Sequence, residues 1–121
     1  MKILKEKLNR CQEVFGEMAK NVFESIKDIS PRTVNNIHDY LANNLYEDNT
    51  LDLKVRELCV ISMIAAQGGL DKALKVHIKT ALKHGATENE IIAVIETVGA
   101  YAGMPKSMLA LLVAKSVFEE K

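Results

Sequence analysis

The sequence has no tryptophan, and it has only two cysteines and two prolines among 121 residues. The cysteines, Cys11 and Cys59, are isolated, which excludes a disulfide framework and indicates a reducing, cytoplasmic compartment. Glycine-rich phosphate loops, paired metal-binding histidines and serine nucleophile elbows are absent as well. We therefore expect a protein that holds no metal and no cofactor.

Net charge is also absent, because sixteen basic residues balance sixteen acidic ones. Without a net field, nucleic acid and anionic membranes are poor partners. The charged residues 1–10 lack the apolar segment of a signal peptide, and the apolar run at residues 58–66 is too short to span a bilayer. A single cytoplasmic domain over residues 1–121, acting on a small molecule, is the expectation.

Apolar residues recur at helical spacing through the first half of the chain, and no alternating strand pattern is present. Gly16 predicts a kink or break within residues 2–29. Ser30 and Pro31 are typical of a helix start, so a helix to about residue 45 is predicted. Residues 46–50 are predicted to form a loop.

The second half has the signals of further helices. Asp52 is predicted to cap a helix that ends at Gly68, and a helix over residues 70–84 should stop before Gly85. Thr87 and Glu90 form a capping box for the following helix, and a last helix begins near residue 105. The sequence predicts an all-α, single-domain bundle of six to seven helices. The helix that Asp52 is predicted to cap is apolar nearly all round, which favours a central position in the bundle and burial against another subunit.

Glu57 is predicted to lie on an apolar face of its helix, beside Val60, Ile61 and Ile64. A carboxylate in that environment must be paired or hydrogen-bonded, because burial disfavours its charged form. A structural Glu near a helix N-terminus, paired with an Arg or Lys, explains the pattern equally well. Both interpretations stay open on the sequence alone.

His77 is placed similarly, among apolar residues of the next helix, so Glu57 is a plausible partner for its ring. A core histidine with satisfied hydrogen bonds is the alternative. Lysines at positions 72, 75, 79 and 83 form a stripe on the opposite face, which is most simply a solvated surface. Cys59 is expected to be a buried, unreactive core residue, since a thiol in apolar surroundings has a raised pKa.

The chain resembles the carboxymuconolactone decarboxylase family over about residues 14–118. The resemblance rests on a series of short motifs: Phe15-Gly16, Leu51-Asp52, Arg56-Glu57-Leu58, Gly68-Gly69 eight residues before His77, Gly85-Ala86-Thr87, Glu90-Ile91 and Tyr101-Ala102-Gly103-Met104-Pro105. It implies an alkylhydroperoxidase D-like helical fold that assembles into homo-oligomers, hexamers or trimers.

One branch of that family consists of cofactor-free decarboxylases of γ-carboxymuconolactone. The resemblance therefore implies a carboxy-lyase with His77 and Glu57 as catalytic residues. The substrate carboxylates would bind to basic side chains drawn from Arg56, Lys75, Lys79 and Lys106. Since Lys75 and Lys79 lie opposite His77 on their own helix, they would act on a neighbouring subunit's site.

The other branch contains antioxidant peroxidases that use a CxxC pair before the histidine. Here those positions hold Leu70 and Ala73, and a dithiol peroxidase needs both an attacking and a resolving sulfur. The sequence therefore favours the decarboxylase branch over the peroxidase branch. A non-catalytic oligomeric ligand-binding protein is a third possibility that the sequence leaves open.

Overall fold

The computed structural model describes residues 5–120, and within them the chain forms seven α-helices and no β-strand. In chain order the helices are α1 (Lys5–Phe15), α2 (Glu17–Lys27), α3 (Pro31–Asn36), α4 (Leu53–Gln67), α5 (Asp71–Lys83), α6 (Glu88–Ala102) and α7 (Met104–Phe118). The predicted all-α fold is confirmed. None of the helices in residues 5–120 has the length and apolar character needed to cross a membrane.

The described chain divides into two compact units, one ending at Leu51 and the other beginning at Asp52. In the first unit, Gly16 separates α1 from α2 with a φ angle of +93°, which glycine adopts without steric cost. The break predicted at this glycine is confirmed. The ring of Phe15 packs edge-on against those of Phe23 and Tyr46, at centroid distances of 6.1 and 5.0 Å.

The segment after α3 departs from the prediction. Ser30 caps α3 as expected, but the α-helix ends at Asn36, and residues 37–42 continue as a wider π-helical turn. The predicted loop begins instead with a 3₁₀ turn, Leu45–Glu47, which buries Tyr46. Apolar spacing over one or two turns does not separate α, π and 3₁₀ geometry, because all three present a similar face over so short a stretch.

The second unit is built from α4 to α7 around fully buried isoleucines, namely Ile61, Ile78, Ile91 and Ile95. Each such side chain contributes about 1.5–3 kcal/mol through its removal from water. The side chain of Asp52 accepts a hydrogen bond from the Val55 N–H at the start of α4, at 2.8 Å. Helix α4 packs against the other three, which supports its predicted central position.

Helix α6 starts with the predicted capping box. The Glu90 N–H donates to the Thr87 hydroxyl at 3.0 Å, and the Thr87 N–H donates to the Glu90 carboxylate at 2.9 Å. Lys54 of α4 reaches the second oxygen of the same carboxylate at 2.7 Å. The hydrogen bond from Lys54, followed by that from the Thr87 backbone, lowers the pKa of Glu90 below its usual 4.5.

The lowered pKa of Glu90 predicts an acid-sensitive contribution to stability. Because the folded pKa lies below the unfolded one, the contribution is complete above pH 4.5 and is lost as the pH falls through the folded pKa. Glu90→Gln should remove this part of the pH dependence, measured as the thermal unfolding midpoint at a series of acidic pH values. Glu88→Gln is the control, and identical profiles for the two variants would contradict the prediction.

Candidate functional site

Helix α4 places Glu57 in its second turn, where the carboxylate has no exposed surface. It lies one helical turn before the fully buried Ile61, on the same face of the helix. The capping bond at Asp52 fixes where α4 begins. A buried carboxylate without a polar partner would be strongly destabilising.

Helix α5 supplies that partner. Gly68 and Gly69 have φ angles of +76° and +75°, which turn the chain between the two helices so that α5 packs against α4. The Nδ1 atom of His77 then lies 2.7 Å from Oε1 of Glu57. The pairing predicted from the two apolar faces is confirmed.

The pair joins the interior of the second unit to its surface. Glu57 is completely enclosed, whereas 20% of the His77 side chain is exposed. A carboxylate that accepts the Nδ1–H bond fixes the orientation of the imidazole and selects the tautomer, so that proton exchange falls to Nε2. The arrangement is suited to general acid–base chemistry by a positioned histidine.

The other two histidines have local roles. Nδ1 of His38 lies 2.6 Å from the carboxylate of Asp39, next to it in the chain. His84 ends α5, where its backbone N–H donates to the carbonyl groups of Thr80 and Ala81. Within residues 5–120, no three His, Cys, Asp or Glu side chains come together as ligands for a metal ion.

Lys75 and Lys79 both bind the carboxylate of Glu120, each at 2.7 Å. Their hydrogen bonds, that of Lys75 first, lower the pKa of Glu120. Each lysine is two positions from His77 and therefore about 200° away around the helix. The lysine stripe, predicted to be a solvated face, thus carries an ion-pair cluster with Glu120. The sequence did not predict this cluster, because no local pattern links α5 to a residue beyond the end of α7.

Arg56 and Lys106, the other two basic residues predicted to hold substrate, come from different helices. Arg56 is half-buried on α4, next to Glu57 in the chain. The aliphatic stem of Lys106, on α7, lies over the turn between α4 and α5, where a Cβ atom on Gly68 would be 3.8 Å from it. Lys106 also lines a small cavity of about 20 Å³ at that turn. A role for either residue in substrate binding stays a prediction.

Cys59 was predicted to be buried in the core, and this prediction is wrong because the residue is exposed. It lies in an open groove of about 470 Å³ between α4 and α6, which Met63 and Tyr101 also line. The prediction was wrong because α4 carries apolar residues on more of its surface than α5, α6 and α7 cover. Cys11, in contrast, is buried, and burial raises the pKa of its thiol to about 11.

This difference in exposure predicts the reactivity of the two thiols. In the folded protein a chromogenic disulfide reagent should modify Cys59 within the time in which Cys11 remains unmodified, since the reactive species is the accessible thiolate. Denaturation in urea should expose both. Cys59→Ser should remove the fast reaction entirely, whereas Cys11→Ser should preserve it, and fast modification of two thiols in the folded state would contradict the assignment.

Comparison with known proteins assigns the chain to a family. The sequence model of the Carboxymuconolactone decarboxylase family matches residues 31–116, which is more than two-thirds of the chain. The chain belongs to the carboxymuconolactone decarboxylase family. Glu57, His77 and the four predicted basic residues all lie inside the matched segment.

Two relatives are similar in sequence to this chain. The chain is 28% identical over 117 residues to a protein of Acinetobacter baylyi named 4-carboxymuconolactone decarboxylase, covering 96% of this chain and 87% of the relative. It is 38% identical over 72 residues to an uncharacterized 15.0 kDa protein of Paracoccus denitrificans, covering 59% and 54% respectively. The family is therefore established, whereas the reaction itself is a proposal.

Proposed function

We propose that this protein is a cofactor-independent decarboxylase that acts on a small carboxylated lactone or a related acid. The single observation that carries the proposal is the 2.7 Å contact between His77 Nδ1 and the enclosed carboxylate of Glu57. The similarity to a protein named 4-carboxymuconolactone decarboxylase, along nearly the whole chain, supports the choice of reaction.

The chemistry requires one proton and no external electrons. The bond between the ring carbon and the substrate carboxylate breaks and carbon dioxide leaves. The electron pair left on the carbon delocalises into the lactone carbonyl as a dienolate. His77 enters this step as the imidazolium, with a proton on each ring nitrogen, and Nε2 donates its proton to carbon. The neutral imidazole keeps the Nδ1–H bond to Glu57, and Nε2 regains a proton from water. A positioned acid of this kind typically contributes about 10²–10⁴-fold to the rate.

In this proposal Glu57 is a positioning residue and His77 is the catalytic acid. Glu57 holds Nδ1, so the ring does not rotate away while Nε2 delivers its proton. Arg56 and Lys106 are the basic residues of the same chain proposed to hold substrate carboxylates. Lys75 and Lys79 would do so only for a neighbouring copy in a homo-oligomer of three or six chains, after release from Glu120.

The direct test is release of carbon dioxide from 4-carboxymuconolactone by the purified protein. We expect turnover without added metal or cofactor, and unchanged turnover after dialysis against a chelator. An organic hydroperoxide serves as the control substrate, and we expect no turnover of it because Leu70 and Ala73 supply no thiols. Hydroperoxide turnover, or binding of the lactone without its conversion, would replace the proposal with the peroxidase or the ligand-binding alternative.

A further inference from the structure

Lys75 and Lys79 converge on a single carboxylate. They lie four residues apart on α5, which places them next to each other on one face of the helix. Nζ of Lys75 is 2.7 Å from Oε1 of Glu120, and Nζ of Lys79 is 2.7 Å from Oε2 of the same side chain. Each carboxylate oxygen thus accepts a separate charge-assisted hydrogen bond. The two ammonium groups are therefore spaced to bind the two oxygens of one carboxylate.

One carboxylate does not neutralise this face of α5. Lys75 and Lys79 carry two positive charges, whereas Glu120 carries one negative charge, since hydrogen bonds from Lys75 and then Lys79 lower the pKa of its carboxyl below the usual 4.5. Lys72 and Lys83 lie on the same side of the helix, so that all four lysines fall within an arc of about 80°. Like charges four residues apart on a helix repel each other. A ligand with two negative charges therefore suits this face better than Glu120 does.

Glu120 is held in a way that allows it to be displaced. It lies beyond Phe118, the last residue of α7, and its side chain is 42% exposed. The side chains of Lys75 and Lys79 are 33% and 38% exposed. Ion pairs with this degree of exposure are weak, and salt screens them. Because Glu120 lies outside the helix, rotation of its side chain is enough to break both contacts.

We propose that Lys75 and Lys79 form a binding site for a small dicarboxylate, and that Glu120 fills this site in the free protein and competes with the ligand. This regulation rests on the proposed function, which assigns the two lysines to the carboxylates of a neighbouring copy's substrate. Both lysines lie about 200° from His77 around α5, so the site is separate from the catalytic pair of its own chain. The ligand binds only while Glu120 is released, and its apparent affinity falls in proportion to that fraction of time.

The test measures how well succinate, a small dicarboxylate, protects the two lysines from acetylation. An activated acetate ester modifies free amines, and peptide mass spectrometry gives the rate at each lysine. Sodium chloride keeps the ionic strength constant, and Lys20 of α2 is the internal reference. In Glu120→Gln, half-maximal protection of Lys75 and Lys79 should need about threefold less succinate than in the unmodified protein. That ratio corresponds to Glu120 filling the site about two-thirds of the time.

Glu119→Gln is the matched control, because it removes the same charge from the preceding residue and keeps Glu120. It should leave the half-protecting succinate concentration unchanged. Adding Lys79→Gln to Glu120→Gln should abolish the protection of Lys75. Equal succinate concentrations for Glu120→Gln and Glu119→Gln, or no protection of either lysine, would overturn the proposal. Carbon dioxide release is measured on the same samples without succinate. A protein that binds succinate at the lysines and releases no carbon dioxide would contradict the proposed reaction and leave this site in place.

Discussion

His77→Asn should lower the rate of carbon dioxide release from 4-carboxymuconolactone by about 10²–10⁴-fold, with little loss of stability. The asparagine amide nitrogen occupies nearly the position of Nδ1, so it can still donate to Glu57, whose carboxylate accepts at 2.7 Å. What is lost is Nε2, the ring nitrogen proposed to transfer the proton. The loss corresponds to about 3–5 kcal/mol of transition-state stabilisation.

Initial rates at saturating lactone measure this effect, because it should fall on kcat and not on KM. His84→Asn is the matched control, since that residue ends the same helix and its backbone N–H, which the substitution keeps, donates to Thr80 and Ala81. Activity of His77→Asn within threefold of the unmodified protein would exclude His77 as the proton donor. A rise in KM with constant kcat would instead assign His77 to substrate binding.

The pairing on which this prediction rests was accessible from the sequence. Glu57 and His77 each interrupt an otherwise apolar helical face, and polar groups in such places require a partner. The glycines between the two helices indicated a tight turn, which brings consecutive helices side by side. Periodicity therefore sufficed to make Glu57 a plausible partner of His77, twenty positions further along the chain. It did not distinguish that partner from an Arg or Lys.

Other features of the second unit were not accessible in this way. The salt bridges from Lys75 and Lys79 to Glu120 depend on where α7 ends relative to α5, which no local pattern encodes. The exposure of Cys59 depends on how much of α4 its neighbours cover. Amphipathic patterning indicates which residues of a helix favour burial. It does not indicate whether other helices of the same chain cover them.

Glu57→Ala is expected to lower the free energy of unfolding by about 3–5 kcal/mol, as is typical when one partner of a buried pair is removed. The change leaves a cavity at a site with no exposed surface, and it leaves the Nδ1–H group of His77 without its carboxylate acceptor. The exposed part of His77 allows some hydration, which favours the lower end of the range. Urea denaturation followed by circular dichroism measures it, with Ile61→Ala as the control for cavity formation one turn further along α4.

Two variants with volume-conserving leucines separate the cost of an unsatisfied donor from the cost of a cavity. Glu57→Leu alone should cost about 1–3 kcal/mol, because a buried donor loses its acceptor. Adding His77→Leu removes that donor and should restore stability to within about 1 kcal/mol of the unmodified protein. Decarboxylation should be lost in both variants. A stable, inactive double variant would show that the pair is present for chemistry, whereas a double variant less stable than Glu57→Leu would show that the fold itself requires the pair.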